Sequence, residues 1–164
     1  FSKKGRVNAQ ELVDLRNMQI SQTKTKWFML LDGDEVWPKN TIEEFLTAIK
    51  TANRSIVGII LPMIVPVGDL FHYQSESAGR YEFIEKRGHM NLRGYRKMKN
   101  YQWRGTYPLE AYANEQGKPI QENTQNLIML RNPYWHLTHL RRSTDDSHGK
   151  RKFQKRNRKI YNCD

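Results

Sequence analysis

Residues 27–31, Trp27-Phe28-Met29-Leu30-Leu31, are apolar without a break and run directly into Asp32-Gly33-Asp34-Glu35. An unbroken apolar run of strand length reads as a strand buried on both faces, the habit of parallel sheets covered by helices. Its acidic end then lies at the sheet rim, where open α/β sheets bind ligands. Upstream, Leu12, Leu15, Met18 and Ile20 recur at roughly helical spacing, with Glu11 and Asp14 near the favourable N-terminal end. This predicts a helix over residues 8–23. Downstream, Ile42, Phe45, Leu46 and Ile49 form an apolar stripe behind Thr41 as N-cap, with Glu43 and Glu44 in the first turn, predicting a helix over 41–52. Residues 56–61 are largely β-branched and read as a second buried strand, ended or bent by Pro62 and Pro66. Helix, strand, helix, strand with short connections predicts an α/β layer.

Beyond Gly68 the pattern is irregular. Residues 71–73, 81–84, 92–98 and 127–130 read as short strands of an antiparallel or mixed second half, and 134–140 is aromatic with two histidines. From Arg141 the chain is nearly all polar, with seven basic residues among 150–159. Residues 143–164 are therefore expected to be a basic C-terminal helix or tail behind a domain spanning 1–142.

A chain of 164 residues fits one domain with a sizeable core, and its start at Phe1 leads us to expect an N-terminally truncated piece of a longer protein. With 28 basic against 17 acidic residues the formal charge is 28 − 17 = +11, which favours anionic partners: nucleic acid, phosphorylated small molecules or an acidic membrane surface. The single cysteine, Cys163, excludes an intrachain disulfide and suits a reducing compartment. The longest apolar run, 56–67, is too short and too proline-marked to span a bilayer, and no signal peptide is visible.

Asp32 and Asp34, one flexible residue apart, are able to face one divalent cation; Asp-Gly-Asp is equally a turn former. Arg16-Asn17 followed by Thr23-Lys24-Thr25-Lys26 and the run from Trp27 to Glu35 resembles the central block of family 2 glycosyltransferases of the GT-A fold. In that family an Arg-Asn on a helix precedes a strand ending in Asp-x-Asp, often followed by Glu. The resemblance implies that Asp32 and Asp34 help hold Mg²⁺ or Mn²⁺ against the diphosphate of a nucleotide sugar. Glu35 is a secondary candidate, for acceptor or metal-bound water.

Transfer with inversion needs a base for the acceptor hydroxyl. Among the downstream glutamates Glu110 stands out, in Trp103-Arg104-Gly105-Thr106-Tyr107-Pro108-Leu109-Glu110-Ala111-Tyr112, where flanking aromatics supply a sugar platform. The segment is similar to a later block of bacterial members in which a His-Glu pair follows a glycine and an aromatic; Pro108-Leu109 stands where the histidine would be. Asn91-Leu92-Arg93-Gly94-Tyr95-Arg96 resembles the family's short strand with an arginine, so Arg93 is a candidate for donor or phosphate binding; the alternative is an arginine solvated on a strand edge. By the same resemblance a histidine after the last core strand approaches the metal or diphosphate; His139 matches better than His136, and a structural histidine is the alternative for both. His-x-x-His without a third ligand makes zinc a poor fit.

The expected fold is thus α/β, a GT-A three-layer sandwich with a mixed sheet that is incomplete at the N-terminus. The expected function is metal-dependent, inverting transfer of a sugar from a nucleotide-sugar donor to a hydroxyl on a glycan, lipid-linked or other acceptor, as in cell-envelope polysaccharide synthesis. We expect a cytoplasmic location, with peripheral contact to anionic membrane and no specific nucleic acid. The competing readings are a basic nucleic-acid-binding module, with aromatics and cations interleaved between Tyr95 and Tyr112, and a non-catalytic GT-A relative.

Overall fold

The computed structural model describes residues 8–83, 86–140 and 160–162. Along the chain run α1 (Ala9–Gln22), β1 (Trp27–Met29), β2 (Glu35–Val36), α2 (Lys39–Thr51), β3 (Gly58–Ile64), β4 (Val67–Gly68), β5 (His72–Gln74), β6 (Tyr81–Phe83) and β7 (Lys86–Gly88). Then follow β8 (Met90–Arg96), β9 (Gln102–Arg104), β10 (Ala111–Ala113), β11 (Leu127–Met129), β12 (Tyr134–His136), β13 (His139–Leu140) and β14 (Ile160–Asn162). No helix among the described residues is long and apolar enough to cross a membrane.

A mixed sheet in the order β1-β8-β3-β12-β2 organises the molecule, with β11 also parallel to β3. Strand β8 lies antiparallel to both β1 and β3, whereas β12 is parallel to β3. Alternation along β3 divides the core in two: Ile60 joins Val13, Leu92, Tyr95, Trp103 and Tyr112, while Ile59 and Leu61 join Phe45, Ala48 and Tyr134. One face of the sheet therefore carries α1 with the β9–β10 hairpin, and the other carries α2. These are the three layers. Gly94 lets α2 approach, because a Cβ there would stand 2.8 Å from the Phe45 ring and 2.9 Å from Ile59.

Helix α1 matches its expected bounds and has a reciprocal capping box, in which Asn8 Oδ1 accepts from the Glu11 N–H and the Asn8 N–H donates to Glu11. Helix α2 starts earlier than expected, behind Pro38, because Thr41 is not its cap. Thr41 is fully buried, and its hydroxyl donates to the Pro133 carbonyl at 2.7 Å, a tertiary contact. Strand β3 passes through Pro62, which lacks only its own N–H; Met63 N–H still reaches the His89 carbonyl at 2.9 Å.

The strand expected to be buried on both faces is the antiparallel edge of the sheet, with Met29 and Leu31 41% and 59% exposed. An apolar run carries no information on how many neighbours a strand has. The expected 143–164 segment lies outside the described residues except for β14, which pairs antiparallel with β5.

Candidate active site

Beyond β1 the chain turns through Gly33 and Asp34 into β2, which pairs with β12 so that Glu35 stands opposite His136. The Leu137 N–H donates to the Asp34 carbonyl at 2.7 Å, closing that register. The acidic stretch is thereby laid beside a histidine that is distant in sequence.

Strand β8 supplies the cation. Between β3 and β8, Ile59 pairs with Gly94 and Ile60 with Leu92, leaving Arg93 as the extra residue of a β-bulge. Bulges re-aim side chains, and they recur beside active sites. The Arg93 guanidinium, 4% exposed, donates to Asp32 Oδ2 at 3.0 Å, to Glu35 and to the Tyr134 hydroxyl at 3.2 Å. The Glu35 side chain is fully buried and also accepts from the Trp37 indole at 3.1 Å. Burial pushes the Glu35 carboxyl above its ordinary 4.5, with Arg93 opposing the shift. Burial alone would weaken the charge on Arg93, but Tyr134, Glu35 and Asp32 outweigh it, so its pKa is raised. Burial likewise pushes Tyr134 up to about 12.

Glu110 immediately precedes β10. Its Oε1 is ion-paired with Arg16 of α1, and the two side chains are only 7% and 11% exposed. The Arg16 guanidinium also lies over the Trp103 ring, 4.8 Å from its centroid. Asn17, the next residue, binds the main chain of Trp103 at both ends: its Nδ2 donates to the carbonyl at 2.9 Å and its Oδ1 accepts the N–H at 2.7 Å. Glu110 Oε2 is buried without a hydrogen-bond partner among the described residues.

A cavity of about 710 Å³ unites these groups, lined by Asp32, Asp34, Arg93, Glu110, Arg16 and His136 with Tyr81, Trp103 and Tyr107 among the aromatics. Of the residues singled out from sequence, Asp32, Asp34, Arg93, Glu110 and His136 line it. Glu35 lies behind Asp32, under Arg93. His139 is on β13 beside Val67 of β4, and the imidazole at the cavity wall is that of His136, whose Nε2 stands 3.6 Å from Asp34 Oδ1. Arg16 and Tyr134 had no role assigned from sequence. Arg16 entered the sequence reading only through the Arg-Asn resemblance, and neither partner is legible locally, since Arg16 meets one 94 positions away and Tyr134 one 41 away.

Among the described residues no three His, Cys, Asp or Glu side chains are gathered closely enough to hold a metal ion by themselves. The donor set nonetheless suits a hard divalent cation that takes the rest of its shell from phosphate. Mg²⁺ commonly binds through one or two carboxylates plus substrate phosphates rather than in an all-protein cage. Asp32 is 42% exposed at the side chain, and Asp34 stands beside an imidazole.

A family model described as Glycosyl transferase family 2 matches residues 6–132. No curated protein and no solved structure gives a significant match. The matched span holds Arg16, Asp32, Asp34, Arg93 and Glu110 and stops short of His136. The mixed α/β architecture, a curled sheet with few helices, is that of the GT-A fold. The chain belongs to glycosyl transferase family 2, and its general activity is glycosyl transfer.

Proposed function

We propose that this chain transfers a sugar from a nucleotide-sugar donor to an acceptor hydroxyl by a single inverting displacement assisted by Mg²⁺ or Mn²⁺. The observation that carries this reading is one cavity lined by Asp32, Asp34 and His136 together with Glu110. Asp32 and Asp34 would hold the cation together with the donor diphosphate, and His136, 3.6 Å from Asp34 Oδ1, would be available as a further ligand. Bound there, the ion stabilises negative charge on the departing diphosphate.

The remaining work falls to the chain. Arg93 and the buried Glu35 fix the Asp32 carboxylate in place. The bond from the anomeric carbon to the phosphate oxygen breaks with its electron pair on phosphate, and the acceptor oxygen bonds to that carbon. Its proton passes to Glu110. Tyr107, exposed on the cavity lining, would offer an apolar face to a sugar ring. The +11 charge suits anionic donors and a peripheral place at an anionic membrane face, with a glycan or lipid-linked acceptor.

Calorimetric titration of the full chain with nucleoside diphosphates tests this. Binding is expected only with Mg²⁺ or Mn²⁺ present, and Asp34→Ala is expected to remove it. Metal-independent binding of equal strength would overturn the proposal.

A further inference from the structure

Resting on the reading of Glu110 as base, the geometry points to Arg16 as the positioning residue that aims it, with Asn17 as the brace of the same device. The two neighbours on α1 seize the β9–β10 hairpin at three points. Asn17 holds both main-chain groups of Trp103, Arg16 covers the Trp103 ring at 4.8 Å, and the Arg16 guanidinium ends on Glu110 Oε1. Trp103 pairs with Tyr112 in that hairpin, so fixing Trp103 fixes the strand that leaves Glu110.

A guanidinium on one carboxylate oxygen leaves only the other for chemistry. Here Oε2 is buried and has no partner among the described residues, while Glu110 and Arg16 both line the cavity that holds Asp32 and Asp34. A desolvated acceptor without a donor is what an incoming O–H group satisfies. Oε2 accepts the acceptor's proton as the oxygen bonds to the anomeric carbon and the diphosphate departs with its electron pair. Arg16 touches no reacting atom in this scheme. It acts through Glu110.

The test uses the full chain with a panel of UDP-, dTDP- and GDP-sugars and Mn²⁺, following nucleoside diphosphate release with water standing in for the acceptor. Glu110→Gln is expected to lower kcat by about 100-fold or more, the range of general-base catalysis. Arg16→Gln is expected to lower kcat by about 10- to 100-fold through misplacement, with donor KM changed by less than about threefold. In the double variant the Arg16 substitution should add nothing to the Glu110 loss. Arg16→Lys should recover part of the rate, and Asn17→Ala, which leaves the ion pair, should lose part; both guard against Arg16→Gln failing to fold. The inference is overturned if Arg16→Gln costs the same factor with and without Glu110, or raises donor KM while sparing kcat. Wild-type rate in Glu110→Gln would instead remove the base reading beneath it.

Discussion

Arg93 is charged and almost wholly enclosed, and the Glu35 beside it has no exposed side-chain surface. Their attraction compensates desolvation only while both are present, so removing one leaves an unpaired buried charge at a cost of about 3–5 kcal/mol. Arg93→Gln is therefore expected to lose about that much in denaturant unfolding, whereas Arg93→Leu with Glu35→Leu should lose less. The pH dependence has a definite sign. Burial holds folded Glu35 above 4.5, so the folded state binds its proton more tightly than the unfolded chain does. Its favourable contribution is full below 4.5 and is lost as pH rises through the folded value. Without Arg93 this loss deepens, and the Arg93→Gln deficit should be larger at pH 7 than at pH 4. An equal deficit at both would show that Glu35 is not the residue stranded. The sequence suggests an arginine for phosphate here, and the residue does line the cavity. Its carboxylate partners were not legible, because the bulge that turns it arises from pairing with β3, not from any pattern within β8.

Helix α2 was legible as an element from the stripe Ile42, Phe45, Leu46 and Ile49, although its buried face runs through Thr41, Phe45 and Ala48 and leaves Ile42 and Leu46 exposed. What it does for the site was not, since that depends on its polar residues. Glu44 accepts the backbone N–H groups of Arg131 and Asn132, both at 2.9 Å, Asn40 donates to Asn132 at 3.0 Å, and Thr41 donates to the Pro133 carbonyl. The three residues 131–133 are thus stapled to the helix just before β12, which carries Tyr134 and His136. Burial is the largest single influence and opposes ionisation of Glu44, but the N–H groups of Arg131 and Asn132 with the Asn132 side chain together prevail and hold its carboxyl below the ordinary 4.5. A lowered pKa gives stability that is present above 4.5 and fades as pH falls through the folded value. Glu44→Ala is expected to cost about 1 kcal/mol at pH 7, or about 3 °C in melting temperature, with the difference from wild type shrinking on acidification. A gap that widens at low pH would contradict this. The β9–β10 hairpin shows the opposite case: three-residue strands are too short for a period to register, and Glu110, just before β10, was read from its flanking aromatics and the resemblance of its segment.

At the scale of the whole molecule, the sequence displays each half of the cavity without the pairing. The Asp-x-Asp run stands out through its apolar lead, and Arg16-Asn17 through its resemblance, yet the contact of Arg16 with Glu110 spans 94 positions and exists only once α1 lies on the hairpin. Charge is the other global property, and it divides two kinds of binding. A surplus of eleven positive charges draws any polyanion, but affinity from released counterions falls steeply with salt. A protein making several phosphate contacts loses about 10³- to 10⁵-fold between 50 and 200 mM salt. A nucleoside diphosphate held by Asp32, Asp34 and a cation makes few such contacts and lies partly enclosed, where screening is weaker. Fluorescence titration at the two salt concentrations separates the cases. Single-stranded oligonucleotide binding is expected to collapse at 200 mM salt and to be unaffected by Asp32→Ala. Mn²⁺-dependent nucleoside diphosphate binding should persist at 200 mM and fall at least about tenfold in Asp32→Ala, the loss of one charged ligand. Oligonucleotide binding that survives high salt, alongside diphosphate binding indifferent to Asp32, would favour a nucleic-acid-binding role for this basic surface over the cavity chemistry.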